Sequence, residues 1–314
     1  MVVHEERVFK DSVSVGDYLD GLRFLCLSDS GLGDGVNPYF IDEPAIFSFS
    51  GGRTSGYMLY KTVQAHGGAL PKDVVVTFCN TGKEMPETLD FVRDCGEQFG
   101  VDIVWIELSE MTKKEGGGYD KKYRVTTYEN ASRNGEPFGV LLDAMPAIPN
   151  MVNMACTAYL KTRLMRMYAD AIGFERGCLT IVGLRADERR RVANLHNKKV
   201  EGFTGYCPLS IDSVTKGVVS EFWNKQNFDL NLPNNNGVTD WGNCDVCFKK
   251  GGTKRQSIIR ERPDLADWWI EAEKKKGQKF RLDQPDYARM KMIATDQGQL
   301  FDFDDESIPC FCGD

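Results

Sequence analysis

The chain has 314 residues, 41% of them hydrophobic and 27% charged, and its 39 basic and 46 acidic residues give a formal net charge of −7. This composition excludes a disordered, collagen-like or fibrous chain, and no run approaches the roughly 18–20 apolar residues of a membrane span. The first residues, Met1-Val2-Val3-His4-Glu5-Glu6, lack the basic-then-apolar order of a signal peptide, so a soluble cytoplasmic protein with no membrane contact is expected.

Residues 1–43 are weakly periodic, with a Gly/Asp/Ser-rich stretch from Ser28 to Gly35, and read as an N-terminal extension. Ala45–Ser50 reads as a buried strand and Thr54–His66 as a helix. Asp73–Phe78 is a β-branched strand, Pro86–Phe99 a helix with Pro near its start, and Val101–Leu108 a third strand. Residues 112–135, containing Gly116-Gly117-Gly118, read as a mobile loop. A helix over Thr157–Ile172 and a strand over Cys178–Leu184 follow. This β-α-β-α-β order implies the α/β class, a parallel sheet with helices on both faces. Residues 217–230 and 253–296 read as helical and flank a cysteine motif. The expected organisation is an extension (1–43), a nucleotide-binding domain (44–215) and a helical Cys-rich region (216–314).

Charge is unevenly spread along this order. Residues 1–43 carry three basic and nine acidic residues, and residues 296–314 carry six acidic and no basic ones. The interior, 44–295, is therefore mildly basic, with 36 basic against 31 acidic residues. An anionic ligand is admitted, and a large nucleic-acid interface is not demanded.

Ser50-Gly51-Gly52-Arg53-Thr54-Ser55 runs from a strand straight into a helix. Glycines let backbone approach a ligand closely, and the open N–H groups of a helix start favour an anion. Arg185, Arg189, Arg190 and Arg191 gather four guanidiniums suited to phosphate. There are ten cysteines; without a signal peptide, thiols, metal ligands or catalysis are favoured over disulfides. Cys26, Cys79, Cys95 and Cys178 have apolar neighbours and read as core residues. Cys156, the CxxC pair Cys244/Cys247, Cys207 before Pro208, and Cys310/Cys312 near the end stand apart. The three histidines, His4, His66 and His196, offer no acid–base constellation, and His66 and His196 read as surface residues.

Ser50–Ser55 resembles the SGGxxS pyrophosphate loop of the adenine-nucleotide alpha-hydrolase (PP-loop) superfamily. Within it the chain resembles the phosphoadenosine phosphosulfate (PAPS) reductase family. Three further blocks carry the likeness: Thr81-Gly82-Lys83-Glu84-Met85-Pro86-Glu87-Thr88, Cys156-Thr157-Ala158-Tyr159-Leu160-Lys161, and Gly183-Leu184-Arg185-Ala186-Asp187-Glu188. The four blocks span residues 45–191 in the family's order. The resemblance implies that Ser50, Gly51, Gly52, Arg53, Thr54, Ser55, Thr81, Gly82, Glu84, Lys161, Gly183 and Arg185 bind an adenine nucleotide. Glu84 or Glu87 would orient it or hold Mg²⁺. Arg53 and Cys312 are the implied catalytic candidates, and Cys156, Cys244, Cys247, Cys310 and Cys312 the candidate metal ligands, with Cys207 in reserve. Four thiolates suit a 4Fe-4S cluster and equally tetrahedral zinc; the iron–sulfur members of the family favour the cluster.

Three functions remain open at this point. One is ATP-dependent adenylation of an acceptor coupled to sulfur transfer, as in tRNA thiolation or DNA phosphorothioation, served by a sulfur donor or thiol reductant protein. The second is reduction of PAPS or adenylyl sulfate with Cys312 as nucleophile. The third is a non-catalytic nucleotide or iron–sulfur sensor. The retained Ser-Gly-Gly and final Ser favour ATP over PAPS, although Arg53 replaces the superfamily's usual Lys, Thr54 its usual acidic residue, and Ala155 the first Cys of a Cys-Cys pair.

Overall fold

The apolar runs of the first half become the centre of one sheet. The computed structural model describes residues 37–197, 203–235 and 238–296. The expectations for Cys26, Cys310, Cys312 and most of the N-terminal extension fall outside these residues. Strands β1 (Ala45–Phe49), β2 (Val74–Cys79), β3 (Ile103–Lys113), β4 (Tyr119–Thr126), β5 (Cys178–Val182) and β6 (Phe203–Tyr206) form one sheet in the order β4-β3-β2-β1-β5-β6. All neighbouring pairs are parallel except β3–β4. In β1, β2 and β5 almost every residue is buried, which is why they read as continuous apolar runs rather than as alternations.

Helices cover both faces, as expected. Successive side chains of a strand point to opposite faces. Phe78 of β2 faces the loop before α1 (Arg53–Ala65) and packs near α2 (Pro86–Phe99), which supplies Thr88 and Val92 to the same contact. The next residue, Cys79, points the other way and donates its thiol to the Lys161 carbonyl at 3.7 Å. That carbonyl belongs to α4, which comprises an α turn (Ala155–Thr157), a π turn (Ala158–Thr162) and an α segment (Arg163–Ala171). After β5 come α5 (Arg189–Asn197), α6 (Pro208–Ile211) and α7 (Lys216–Trp223); α3 (Glu136–Ala144) packs on β3. The C-terminal part holds α8 (Gly252–Glu261), α9 (Leu265–Lys276) and α10 (Tyr287–Asp296).

Several sequence expectations are corrected. Of the loop expected over 112–135, residues 112–126 form a hairpin: β3 continues to Lys113, turns through Gly116–Gly118, where Lys114 N–H donates to Gly118 O at 3.1 Å, and returns as β4, leaving 127–135 as irregular chain. The helix expected over 217–230 ends at Trp223, and that over 253–296 is three helices. His66 is not a plain surface residue: its Nε2 accepts the Ile41 N–H at 3.0 Å and its ring stacks on Phe40. This contact, with the buried Tyr39 and Ile41, fixes residues just before β1. Cys79 and Cys95 are buried as expected, and burial pushes the Cys79 thiol up to about 12; Cys178 is only half-buried. No helix among the described residues is long and apolar enough to cross a membrane.

Candidate functional site

The Ser-Gly-Gly loop leaves the carboxyl end of β1 and enters α1, the edge of a parallel sheet where ligands bind. It is held in shape by its own hydroxyls. Ser55 Oγ donates to Gly52 O at 2.9 Å and accepts from Ser50 Oγ at 2.9 Å. Gly51 has φ +78°, and a Cβ there would stand 2.7 Å from Thr88 Cγ2, so only glycine fits between loop and α2. Gly52 caps α1 without a side-chain bond, leaving the first N–H groups of the helix open.

Around this loop lies a cavity of about 160 Å³, lined by Ser50, Gly51, Gly52, Arg53, Thr54, Arg185, Lys216, Val219, Leu230, Val238, Thr239, Gly242, Asn243 and Lys254. Arg185 is tied to the loop, donating from Nη1 to Thr54 Oγ1 at 2.9 Å. Asp187 (3.0 Å) and Glu188 (3.5 Å) orient its guanidinium. Arg53 is committed differently: its guanidinium forks onto the Asp229 carboxylate, while its carbonyl accepts Trp223 Nε1–H at 2.7 Å. Its charge is thus compensated within the protein. No carboxylate lines the loop cavity among the described residues, whereas Arg185, Lys216 and Lys254 do.

The second cavity, about 320 Å³, holds the thiols. Cys156, Cys244 and Cys247 line it, with Thr81, Lys161, Lys249 and others. Cys244 and Cys247 are in hydrogen-bond contact, and that contact together with burial pushes the Cys244 thiol well above its ordinary range, opposed by the nearby Lys161 charge. Cys156 reaches the cavity because the Ala155–Thr157 turn opens α4 there, and Lys249 Nζ donates to the neighbouring Thr157 Oγ1 at 2.5 Å. Three thiols around one cavity bordered by lysines fit a thiolate-bound group: binding displaces the thiol protons, and the cations offset the resulting charge. Among the described residues no three His, Cys, Asp or Glu side chains already stand in metal-holding array. Cys207 is elsewhere, fully buried beside Val182 and Leu184.

The Thr-Gly-x-Glu block belongs to the thiol cavity rather than to the loop. Glu84 forms an isolated β-bridge with Cys244. Its Oε2 accepts from Thr81 N–H (2.9 Å) and Thr81 Oγ1 (2.8 Å), and Lys161 Nζ lies 3.8 Å from Oε1. Thr81 Oγ1 also contacts Cys244 Sγ at 3.3 Å. The Glu84 side chain is 1% exposed, and its Oε1 has no hydrogen-bond partner among the described residues. Gly82 has φ +75°, and a Cβ there would stand 2.9 Å from Gly135 N, so backbone fills that side of it. Gly183 packs against Ser55.

The two cavities share a wall made by Thr239, Gly242, Asn243 and Lys254. Sequence reasoning missed these residues, together with Asp229 and Lys216. Two signals for them were present: the basic density of 249–262, with six basic residues and one acidic, and Gly242-Asn243, a turn-forming pair that places Asn243 at φ +60°.

No protein-family profile matches the chain. It is similar to the uncharacterized nin region protein ORF290 of Escherichia phage lambda, 29% identical over 212 residues, 67% of each chain. It is also similar to an uncharacterized protein of Methanocaldococcus jannaschii, 35% identical over 74 residues, or 24% of this chain and 15% of that protein. Among solved structures it aligns with the U34-tRNA thiolase NcsA from Methanococcus maripaludis with its 4Fe-4S cluster, over 83% of this chain and 75% of that one, at 13% identity and a TM-score of 0.38.

Proposed function

We propose that the chain is a PP-loop enzyme of the PAPS reductase-like kind, which binds ATP at Ser50–Ser55 and couples adenylation of an acceptor to sulfur transfer at Cys156, Cys244 and Cys247. The observation that carries this reading is the shared wall: among the described residues, Thr239, Gly242, Asn243 and Lys254 line both the anion-loop cavity and the thiol cavity. Activated acceptor and sulfur can then meet without leaving the site.

The loop N–H groups and the α1 terminus hold the pyrophosphate portion of ATP. Arg185, Lys216 and Lys254 stabilise negative charge as the acceptor oxygen attacks the α-phosphorus and the α–β bond breaks, releasing pyrophosphate. Sulfide-level sulfur from a separate sulfur donor then displaces AMP, which leaves with the acceptor's activated oxygen. Arg53, paired with Asp229, positions the loop. Lys161, Lys249 and Thr81 surround the thiols; burial and the Cys247 contact keep the Cys244 thiol protonated against the Lys161 charge, so a bound metal would have to displace its proton. A 4Fe-4S cluster held by Cys156, Cys244 and Cys247 would supply an iron site for the sulfur.

Anaerobically purified protein is expected to contain iron and acid-labile sulfide, which Cys244→Ala and Cys247→Ala each remove. ATP binding is expected to weaken by about ten-fold or more in Arg185→Ala, the cost of a charge-assisted hydrogen bond. Zinc as the only metal would overturn the cluster. Cys312-dependent release of sulfite from PAPS, without ATP turnover to AMP and pyrophosphate, would establish the reductase instead.

A further inference from the structure

The β3–β4 hairpin and α4 build a surface that the nucleotide and thiol cavities do not use. On β4, Tyr119, Lys121 and Tyr123 alternate onto one half-buried face, while Asp120, Lys122 and Arg124 point to the other. Across the ladder, Lys113 pairs with Tyr119 and Met111 with Lys121, which places them on the same face. This face meets α4. Tyr119 packs edge-on against Tyr159 (5.5 Å, 82°), and Tyr123 against Tyr168 (6.1 Å, 79°). Two cations converge on the Tyr159 ring: the Arg163 guanidinium at 4.1 Å and Lys121 Nζ at 5.9 Å.

The opposite face is neutralised, with Lys114 on Asp120 (2.7 Å), Lys122 on Glu110 (2.7 Å) and Arg124 on Glu107 (2.6 Å). On the Tyr159 face, by contrast, Lys113, Lys121 and Arg163 have no carboxylate ion-pair partner among the described residues; Lys121 donates only to the Tyr119 carbonyl, at 3.2 Å. Burial and then the charges of Arg163 and Lys114 lower the Lys121 pKa, opposed by the Asp120 carboxylate. The surface also has an address. Tyr159 follows Cys156 and Thr157 by one helical turn or less, and Lys161, between Tyr159 and Arg163, points into the thiol cavity. The π turn over Ala158–Thr162 adds a residue to that turn, so α4 presents Lys161 inward and Tyr159 and Arg163 outward.

We propose that the Tyr119/Lys121/Tyr159/Arg163 face binds single-stranded nucleic acid, leading it along α4 to the mouth of the thiol cavity. Crowded cations neutralise successive phosphates, and the tyrosines offer rings on which bases stack. That this strand is the acceptor rests on the function proposed above; that the surface binds a strand does not.

The test uses the full chain and fluorescent single-stranded RNA and DNA oligomers of about 12 nucleotides, titrated by anisotropy over a range of salt. Binding by the unaltered chain is expected, with Lys121→Glu/Arg163→Glu weaker by about ten-fold or more and its log–log salt slope smaller by about two. Tyr159→Phe should retain binding and Tyr159→Ala weaken it. The RNA and DNA arms decide which strand is preferred. Thermal melts verify folding, and ATP affinity in the same preparations is expected to be unchanged in all variants. Absence of binding at low salt, undiminished binding by the charge-reversed variant, or equal binding of a polyglutamate chain would overturn the assignment. Intact oligonucleotide binding without ATP turnover would count against the adenylation reading and leave the surface standing.

Discussion

Gly51 and Gly52 look equivalent in the sequence and are not. Gly52 has ordinary extended backbone (φ −105°, ψ 163°), whereas Gly51 has φ +78° and its missing Cβ is the space that lets Thr88 and Val92 of α2 close on the loop. A left-handed conformation costs a non-glycine residue about 1–2 kcal/mol, and here the 2.7 Å approach to Thr88 adds overpacking in a buried contact. Gly51→Ala is therefore expected to lower the melting temperature and to reduce ATP affinity by about ten-fold or more, since either the loop or α2 must shift. Gly52→Ala should cost little stability. Melting curves and ATP titrations of both variants check this; equal destabilisation would show that the φ argument is wrong. The motif marks the loop, but only the neighbouring helix shows which glycine is irreplaceable. Arg53 teaches the same lesson: its position suggested a phosphate ligand, and its partner, Asp229, lies 176 residues on.

At the scale of elements, α7 acts as a brace for the loop. Trp223 is 1% exposed, stacks edge-on against Phe91 (4.9 Å) and Phe228 (5.4 Å), and lies over the bare Cα of Gly56, where a Cβ would meet its ring at 2.6 Å. Its indole N–H also holds the Arg53 carbonyl. Trp223→Ala should cost about 3–5 kcal/mol and also weaken ATP binding, whereas Trp223→Phe should recover most of the packing but not the hydrogen bond. Denaturant unfolding and nucleotide titration separate the two effects; unchanged ATP affinity in Trp223→Phe would remove the bracing role. The centre of the sheet was legible because β1, β2 and β5 are buried on both faces and so carry unbroken apolar runs. The hairpin was not: β4 is an edge strand whose residues alternate between half-buried and exposed, and Tyr-Asp-Lys-Lys-Tyr-Arg after three glycines has the composition of a loop. The π turn of α4 is equally silent, since one inserted residue changes hydrogen bonding without changing composition.

For the whole molecule, the sheet and the cysteine segment are expected to behave as one cooperative unit, because their junction is buried. Lys83 Nζ pairs with Asp245 at 2.8 Å, with side chains 8% and 5% exposed. Asp245 N–H donates to Lys83 O (2.7 Å), Trp269 Nε1–H donates to Asp245 Oδ1 (2.7 Å), and the Glu84–Cys244 bridge lies beside them. The pair thus joins the end of β2 to the CxxC turn and to α9. Removing one partner of a buried pair strands the other charge, at about 3–5 kcal/mol, whereas replacing both by apolar residues can be nearly neutral. Asp245→Ala should therefore lower stability by that amount and reduce iron retention, since the Cys244–Cys247 turn loses its anchor. Lys83→Met/Asp245→Leu should recover much of the stability, but iron only insofar as the turn is held by the backbone bonds alone. Denaturant unfolding followed by tryptophan fluorescence and by metal release should give coincident transitions in the unaltered chain. Metal release well before the fluorescence change would show that the cysteine segment opens on its own, and the shared wall between the two cavities would then be a hinge rather than part of a single rigid site.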